Sequence, residues 1–530
     1  MTIASTTVLI VGAGPTGLTL ACQLARRGVP VEIIDAADGP QTGSRGKGLQ
    51  PRTLEVLEDL GIVEEVLANA RTMPMTVIAP DGASRTVGGV PGSLLDRADV
   101  PYPASVITPE WRVEEALRDL LGRLGGTVRF GTRLESFTQD AGGVTAIVTR
   151  NGVQETVRAG WLVGADGGHS TVRKQSGIAF VGETREDVRM LVADVSVDGL
   201  DREAWHMWRS ADSAASLCPL PSTYLHQYQA ELAPGVAPDL SIENLQRVLT
   251  QASGRTDIRI VEAPWTSVWR ANIRLADHYR DGRVFIAGDA AHIHSPAGGQ
   301  GMNTGIQDAT NLGWKLAEVV GGADSTLLDS YEAERRPVAH HVLDLSTARM
   351  TAMVRDRVMP AKRDLSTIQL DITYRDSTLA EDDRGEDAQL RAGDRAPDAT
   401  GVMTAEGTTG RLFRLIAGGT WTLLRFGGRP APAIDGVRAL DVSDTDGSLT
   451  SAYDPTERTL ILIRPDGYIA VISDAGDDHA IRAYLHRMDP APGSTAEMQK
   501  APRSRGASDR VELRGIEPLT SSLRTKRSTN

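Results

Sequence analysis

An α/β fold opening on a Rossmann-like, dinucleotide-binding unit is what the sequence predicts, and three motifs predict it. GAGPTG, Gly12 to Gly17, directly follows the apolar run Val8–Val11. LVGADG ends on Asp166 and Gly167, and AGDAAHIHSPAGGQGMN runs from Ala287 to Asn303. Each is weak alone. In this order they describe a chain that returns repeatedly to one ligand.

Val8–Val11 reads as a buried parallel strand because every position is apolar. Pro15–Arg27 reads as a helix with Leu18, Ala21, Leu24 and Ala25 on one face, and Gly28 sits past its end, where a left-handed cap is wanted. Val31–Ile34 is the second strand, closed by Asp35. In that context Gly12 permits the tight turn, Gly14 lets a pyrophosphate approach the backbone, and Gly17 lets helix and strand pack closely. The turn residues Pro15 and Thr16 join this binding set. Free N–H groups and a positive dipole end face phosphate at the helix start. Asp35 is expected to accept hydrogen bonds from an adenosine ribose. This motif alone does not choose between a flavin and a nicotinamide dinucleotide.

At 530 residues the chain exceeds a single core. Its net charge of -12 argues against nucleic acid as a partner, since phosphate needs clustered Lys and Arg. Two cysteines, Cys22 and Cys218, cannot build a disulfide framework and fit a reducing cytoplasm. The apolar N-terminus lacks the basic segment of a secretory signal, and no apolar run of about 18 residues points to a membrane. His292 and His294, at i and i+2 with no acidic or thiol cluster nearby, predict no metal site. The absence of a nucleophile elbow argues against hydrolase chemistry.

AGDAAHIHSPAGGQGMNTGIQDATNLGWKL, LVGADGGHSTVRKQSGI and SRGKGLQPRTLEVLEDLGI closely resemble segments of the flavin-dependent aromatic hydroxylases. These are the single-component class A monooxygenases of the p-hydroxybenzoate hydroxylase type, and the resemblance covers roughly residues 5–375. It implies tightly held FAD, NADH or NADPH as co-substrate, molecular oxygen, and a small aromatic or polyketide substrate that gains one oxygen atom. Asp289 matches the aspartate that bonds the ribityl chain. Asp166 and Gly167 match a pair serving both FAD and the nicotinamide, and Arg45 an arginine near the pyrophosphate. The Pro296–Asn303 loop, with Gly299, Gly301, Met302 and Asn303, is expected to line the isoalloxazine. The Pro296 carbonyl is expected near the transferred oxygen. Where the family often carries Gln, this chain has Glu110, which as a carboxylate only accepts; it either turns away or pairs with Arg112.

After that loop, Ile306, Ala309, Leu312, Leu316 and Val319 form a helical apolar stripe. Its N-terminus would face the flavin N1–C2=O edge and favour the reduced anion. Two rival readings stand. One is Baeyer–Villiger oxidation or halogenation on the same scaffold, although the halogenase signature Trp-x-Trp-x-Ile-Pro is absent. The other is a flavin-binding module without turnover.

The expected organisation interleaves an FAD-binding domain (1–75, 106–179, 276–375) with a β-sheet substrate domain (76–105, 180–275) carrying Trp205, Trp208, Trp265 and Trp269. Residues 376–398 read as a linker and 399–490 as a thioredoxin-like α/β domain without cysteines. Residues 491–530, with 8 Lys/Arg against 4 Asp/Glu, read as a disordered tail. A homodimer is the expected assembly.

Overall fold

A computed structural model describes residues 3–79, 82–87, 92–210, 213–295, 298–355, 364–427, 433–476 and 478–488. Pro296 and the 491–530 segment lie outside them.

The first sheet is built on parallel strands. Ile3–Val11 lies between Val31–Ile34 and Val153–Gly164, and Val284–Ile286 extends the far side of Val153–Gly164. Val128–Arg129 pairs in parallel with Val31–Ile34, and the antiparallel pair Thr132–Asp140 and Gly143–Arg150 is appended to Val153–Gly164. Both faces are buried, so Val8, Leu9 and Ile10 have no solvent contact and the strand needs no alternation. The helices Pro15–Ala25, Glu110–Arg123 and Gly301–Val320 supply the covering layers. Gly28 takes the left-handed conformation foreseen for it, with φ +72°.

A second sheet of eight strands runs in the order His292–Ile293, Arg259–Ala276, Phe180–Asp198, His226–Leu232, Ala214–Pro219, Trp205–Arg209, Met75–Ile78, Ser84–Val87. Alternation decides its two faces. Leu191, Ala193, Val195, Leu217 and Tyr228 form a core with Leu245 and Leu249 of the helix Ile242–Ser253. Met190, Val192 and Asp194 point the other way, beside their cross-strand partners Trp269, Ser267 and Trp265. Phe180–Asp198 and Arg259–Ala276 are the two long strands of this sheet.

The third sheet is centred on Trp421–Arg425, parallel to Val437–Asp444 and antiparallel to Leu460–Ile463, which pairs with Ile469–Ser473. The final helix is His479–Met488. The 376–398 stretch, expected as a linker, is fastened to its surroundings at several points. Glu381–Asp382 adds an edge strand to this sheet, Arg384 reaches Asp474, and Arg395 is buried against Glu55. Charge and Gly/Pro content suggested a linker, but Asp382 pairs with Arg391, Arg384 with Asp474, Asp394 with Arg375 and Arg395 with Glu55, while Asp376, Glu386 and Asp387 are exposed. Among the described residues no helix is long and apolar enough to cross a membrane.

Candidate active site

Three strand ends lie side by side on the first sheet. In the strand register Val11 pairs with both Ile34 and Gly164, and Gly164 pairs with Ile286. The residues that follow, Gly12, Asp35, Ala165–Gly167 and Ala287–Asp289, therefore emerge together at the carboxyl edge, where open α/β sheets bind ligands. Motifs separated by more than a hundred residues become one surface.

The glycines divide by what surrounds them. A Cβ on Gly12 (φ +106°) would stand 2.2 Å from the Ala165 carbonyl oxygen, and one on Gly17 would stand 1.9 Å from that of Gly12. At Gly14 a Cβ would meet nothing within 4 Å. Two glycines are thus required by the protein's own packing, while the third borders an open cradle. No side chain caps the start of the Pro15–Ala25 helix, nor that of Gly301–Val320. Uncapped N–H groups beside open space form a donor set suited to a pyrophosphate. These residues fit a dinucleotide.

Asp35 is anchored through both carboxylate oxygens, to the N–H of Ala13 (2.7 Å) and of Ala37 (2.8 Å). Each oxygen keeps a second lone pair for a ribose hydroxyl. Asp289 occupies a short 3-10 turn, Gly288–Ala290, and does not cap it. The residue is exposed, and desolvation by the atoms around its carboxyl raises that group above the usual range, against the pull of His292 and Arg45. Arg45 is exposed. Asp166 accepts from the N–H of Thr171 (2.7 Å) and Val172 (3.2 Å), so it holds the short helix behind the turn, while Gly167 takes φ +76°.

Glu110 does not pair with Arg112. Its carboxylate accepts the Gly46 N–H at 2.6 Å, and Arg112 pairs with Glu115 instead. Burial raises the Glu110 pKa, the Gly46 bond lowers it, Asp289 raises it and Arg45 lowers it. The departure from Gln thus places a second carboxyl in the electrostatic surroundings of Asp289.

Asn303 is buried and fully engaged. Its amide donates to the carbonyls of Gly48 and Gly299, both at 2.9 Å, and its oxygen accepts from the Gln50 N–H at 2.8 Å. It ties the Gly48–Leu49 strand to the loop before the Gly301–Val320 helix. Gly299 has φ +65°, Gly301 opens that helix, and Met302 packs partly buried against the core. His292 is bonded to Asp308 at 2.7 Å and His294 to the Ser295 carbonyl at 2.8 Å. Burial pushes His294 down to about 4.

Several residues escaped the sequence reading. Gln50 is buried and donates to the carbonyls of Gly298 and Gly299. Lys47 is buried with its ammonium 4.1 Å from the centre of the Trp205 ring and bonded to Gln227. Asp194 accepts the Ser44 N–H at 2.9 Å. Together with Trp265, which would clash with any side chain at Gly43, they seat the 43–47 segment on the second sheet. Of the four tryptophans, Trp208 belongs to the opposite, helix-covered core. A helical spacing could have flagged one group, since Asp308, Asn311 and Lys315 form a polar stripe along one side of the Gly301–Val320 helix.

Residues 5–346 match the FAD binding domain family, and residues 389–492 match the aromatic-ring hydroxylase C-terminal family. A flavin-dependent monooxygenase of Mycobacteroides abscessus is 44% identical over 91% of this chain and all of its own length. The 6-methylpretetramide 4-monooxygenase of Streptomyces rimosus is 34% identical over 92% of this chain and 94% of its own. The solved structure of aklavinone-11 hydroxylase with FAD and aklavinone superimposes with a TM-score of 0.77 at 27% identity, covering 92% of this chain and 99% of that one. With both domains matched in order and one fold running through them, the chain belongs to the FAD-dependent aromatic-ring hydroxylases, a family of flavoprotein monooxygenases.

Proposed function

We propose that this enzyme uses NADH or NADPH and molecular oxygen to hydroxylate an aromatic or polyketide ring. The observation that carries the reading is the register of the first sheet, which sets Gly12, Asp35, Asp166 and Asp289 at one edge. FAD, when bound there, supplies the electron relay from nicotinamide to oxygen and the transfer of one oxygen atom.

The chain's own share is binding, orientation and exclusion of water. Amides of the Pro15–Ala25 helix start hold the pyrophosphate with Arg45, Asp35 orients the ribose, and Asp289 orients the ribityl chain. The start of the Gly301–Val320 helix favours negative charge on the ring system. Gly299, Gly301, Met302 and Asn303 bound the ring on that side, and Asp166 with Gly167 flanks the nicotinamide approach. The Met190–Asp194 face of the second sheet, with Trp265 and Trp269, offers the mixture of apolar surface and few polar anchors typical of small-molecule pockets. The relatives named for polycyclic polyketides support a fused-ring substrate.

The test is oxygen uptake by the purified, FAD-loaded chain, followed with NAD(P)H oxidation across a panel of fused-ring phenols. A substrate should accelerate both together with little peroxide released. Nicotinamide oxidation that no panel member accelerates, or that yields only peroxide, would count against the proposal.

A further inference from the structure

The third sheet carries no cysteine, yet its hairpin turn is joined to the first domain by a buried network of side chains. Arg464 donates to both oxygens of Glu334, at 2.7 and 2.8 Å, and to both oxygens of Asp466, at 3.0 and 2.6 Å. Asp466 accepts from the Trp314 indole at 2.9 Å, and Glu334 accepts from Asn311 and Lys315, each at 2.7 Å. The Arg464 guanidinium also lies over the rings of Trp314 and Tyr374. The Tyr374 hydroxyl accepts from Arg335 at 2.8 Å, and Arg335 donates to Asp308 at 2.7 Å. Asp308 in turn accepts the Gly288 N–H at 3.1 Å and bonds His292 at 2.7 Å. Gly288 precedes Asp289. All these side chains are buried.

We infer that the Arg464–Gly467 turn is a positioning element for FAD, acting through Tyr374, Arg335 and Asp308 on the Gly288–His292 segment. The inference rests on the proposed role of Asp289. A guanidinium forked between two carboxylates has one geometry; it packs over the Tyr374 ring, and Tyr374, Arg335 and Asp308 are then joined by hydrogen bonds. Such a chain has little freedom to relax, so ordering one end orders the other. By reciprocity, FAD at Asp289 steadies the turn. This gives a cysteine-free terminal domain a task in the reaction of the first domain, at a distance and without touching substrate.

The experiment uses the full chain, stripped of FAD and reloaded. FAD should slow amide exchange across Leu460–Ser473 in the wild type. Arg464→Lys cannot remake the forked bonds, and Tyr374→Phe removes only a hydroxyl. Each should weaken FAD affinity about tenfold and abolish the FAD-dependent protection. Arg384→Lys is the control, because Arg384 binds Asp474 and the Tyr453 carbonyl within the same domain, outside the chain of contacts. It should lower the melting temperature and leave FAD affinity unchanged. Wild-type affinity in both test variants, no protection by FAD, or equal weakening in the control would each overturn the inference. Asp289→Ala separates the two claims. If it binds FAD as the wild type does, the site reading itself falls; if it loses FAD while the test variants do not, only the brace falls.

Discussion

Gly12, Gly14 and Gly17 look alike in the sequence and differ in the fold. Gly12→Ala and Gly17→Ala drive a methyl into backbone oxygen, so both should cost several kcal/mol and give little folded protein. Gly14→Ala has room, with φ -74° at that position, and should fold with an almost unchanged melting temperature while binding FAD at least tenfold more weakly. Thermal melts beside flavin fluorescence separate the two behaviours; FAD binding intact in Gly14→Ala would contradict its place beside the pyrophosphate. The packing demands at Gly12 and Gly17 were legible because a turn's demands are local. Asp194 and Lys47 were not, since their partners Ser44 and Gln227 lie far away in sequence. Burial raises Asp194 to about 6, against bonds from Ser44 and the charge of Lys47. The folded state therefore keeps that proton longer than the unfolded chain, and ionisation costs stability as pH rises from about 4 through 6. Asp194→Asn keeps an acceptor for Ser44 and removes the cost. Its unfolding free energy relative to the wild type should be higher at about pH 8 than at about pH 4, by an amount on the order of 1–3 kcal/mol. The same difference at both would show that Asp194 is not the group responsible.

Elements with their own periodicity were readable one by one. Val31–Ile34 has the bounds that its apolar run predicts. The 376–398 stretch was misread because its strand is two residues long and its order comes from side chains reaching other segments. Glu55 shows the scale of that fastening. Its two oxygens hold Arg52 at 2.7 Å and Arg395 at 3.1 Å, all three buried, which ties the Pro51–Asp59 helix to the third sheet. Glu55→Ala leaves two buried guanidinium groups short of a carboxylate and should destabilise by about 3–5 kcal/mol. Denaturant unfolding measures this; a loss under about 1 kcal/mol would place those arginines in water rather than in a core. The polar stripe Asp308, Asn311 and Lys315 could have been noticed in the sequence, but its partners Arg335, Glu334 and Asp466 could not have been assigned without the fold.

For the whole molecule, the parallel sheet converts three distant motifs into one edge, the second sheet faces the segment between them, and the third braces the helices behind. The Ala287–Asn303 motif told most, because it needed only resemblance; the Met190–Asp194 face told least, because alternation along Phe180–Asp198 says which residues share a face and not what that face meets. The central claim is that this assembly moves one atom of molecular oxygen into an organic ring. Turnover of an accepted fused-ring phenol under labelled dioxygen, with NAD(P)H and unlabelled water, tests it most directly. Product mass should rise by one labelled oxygen atom per turnover, and no product should form without oxygen. Product labelled only from water, or substrate consumed anaerobically at an undiminished rate, would contradict the account.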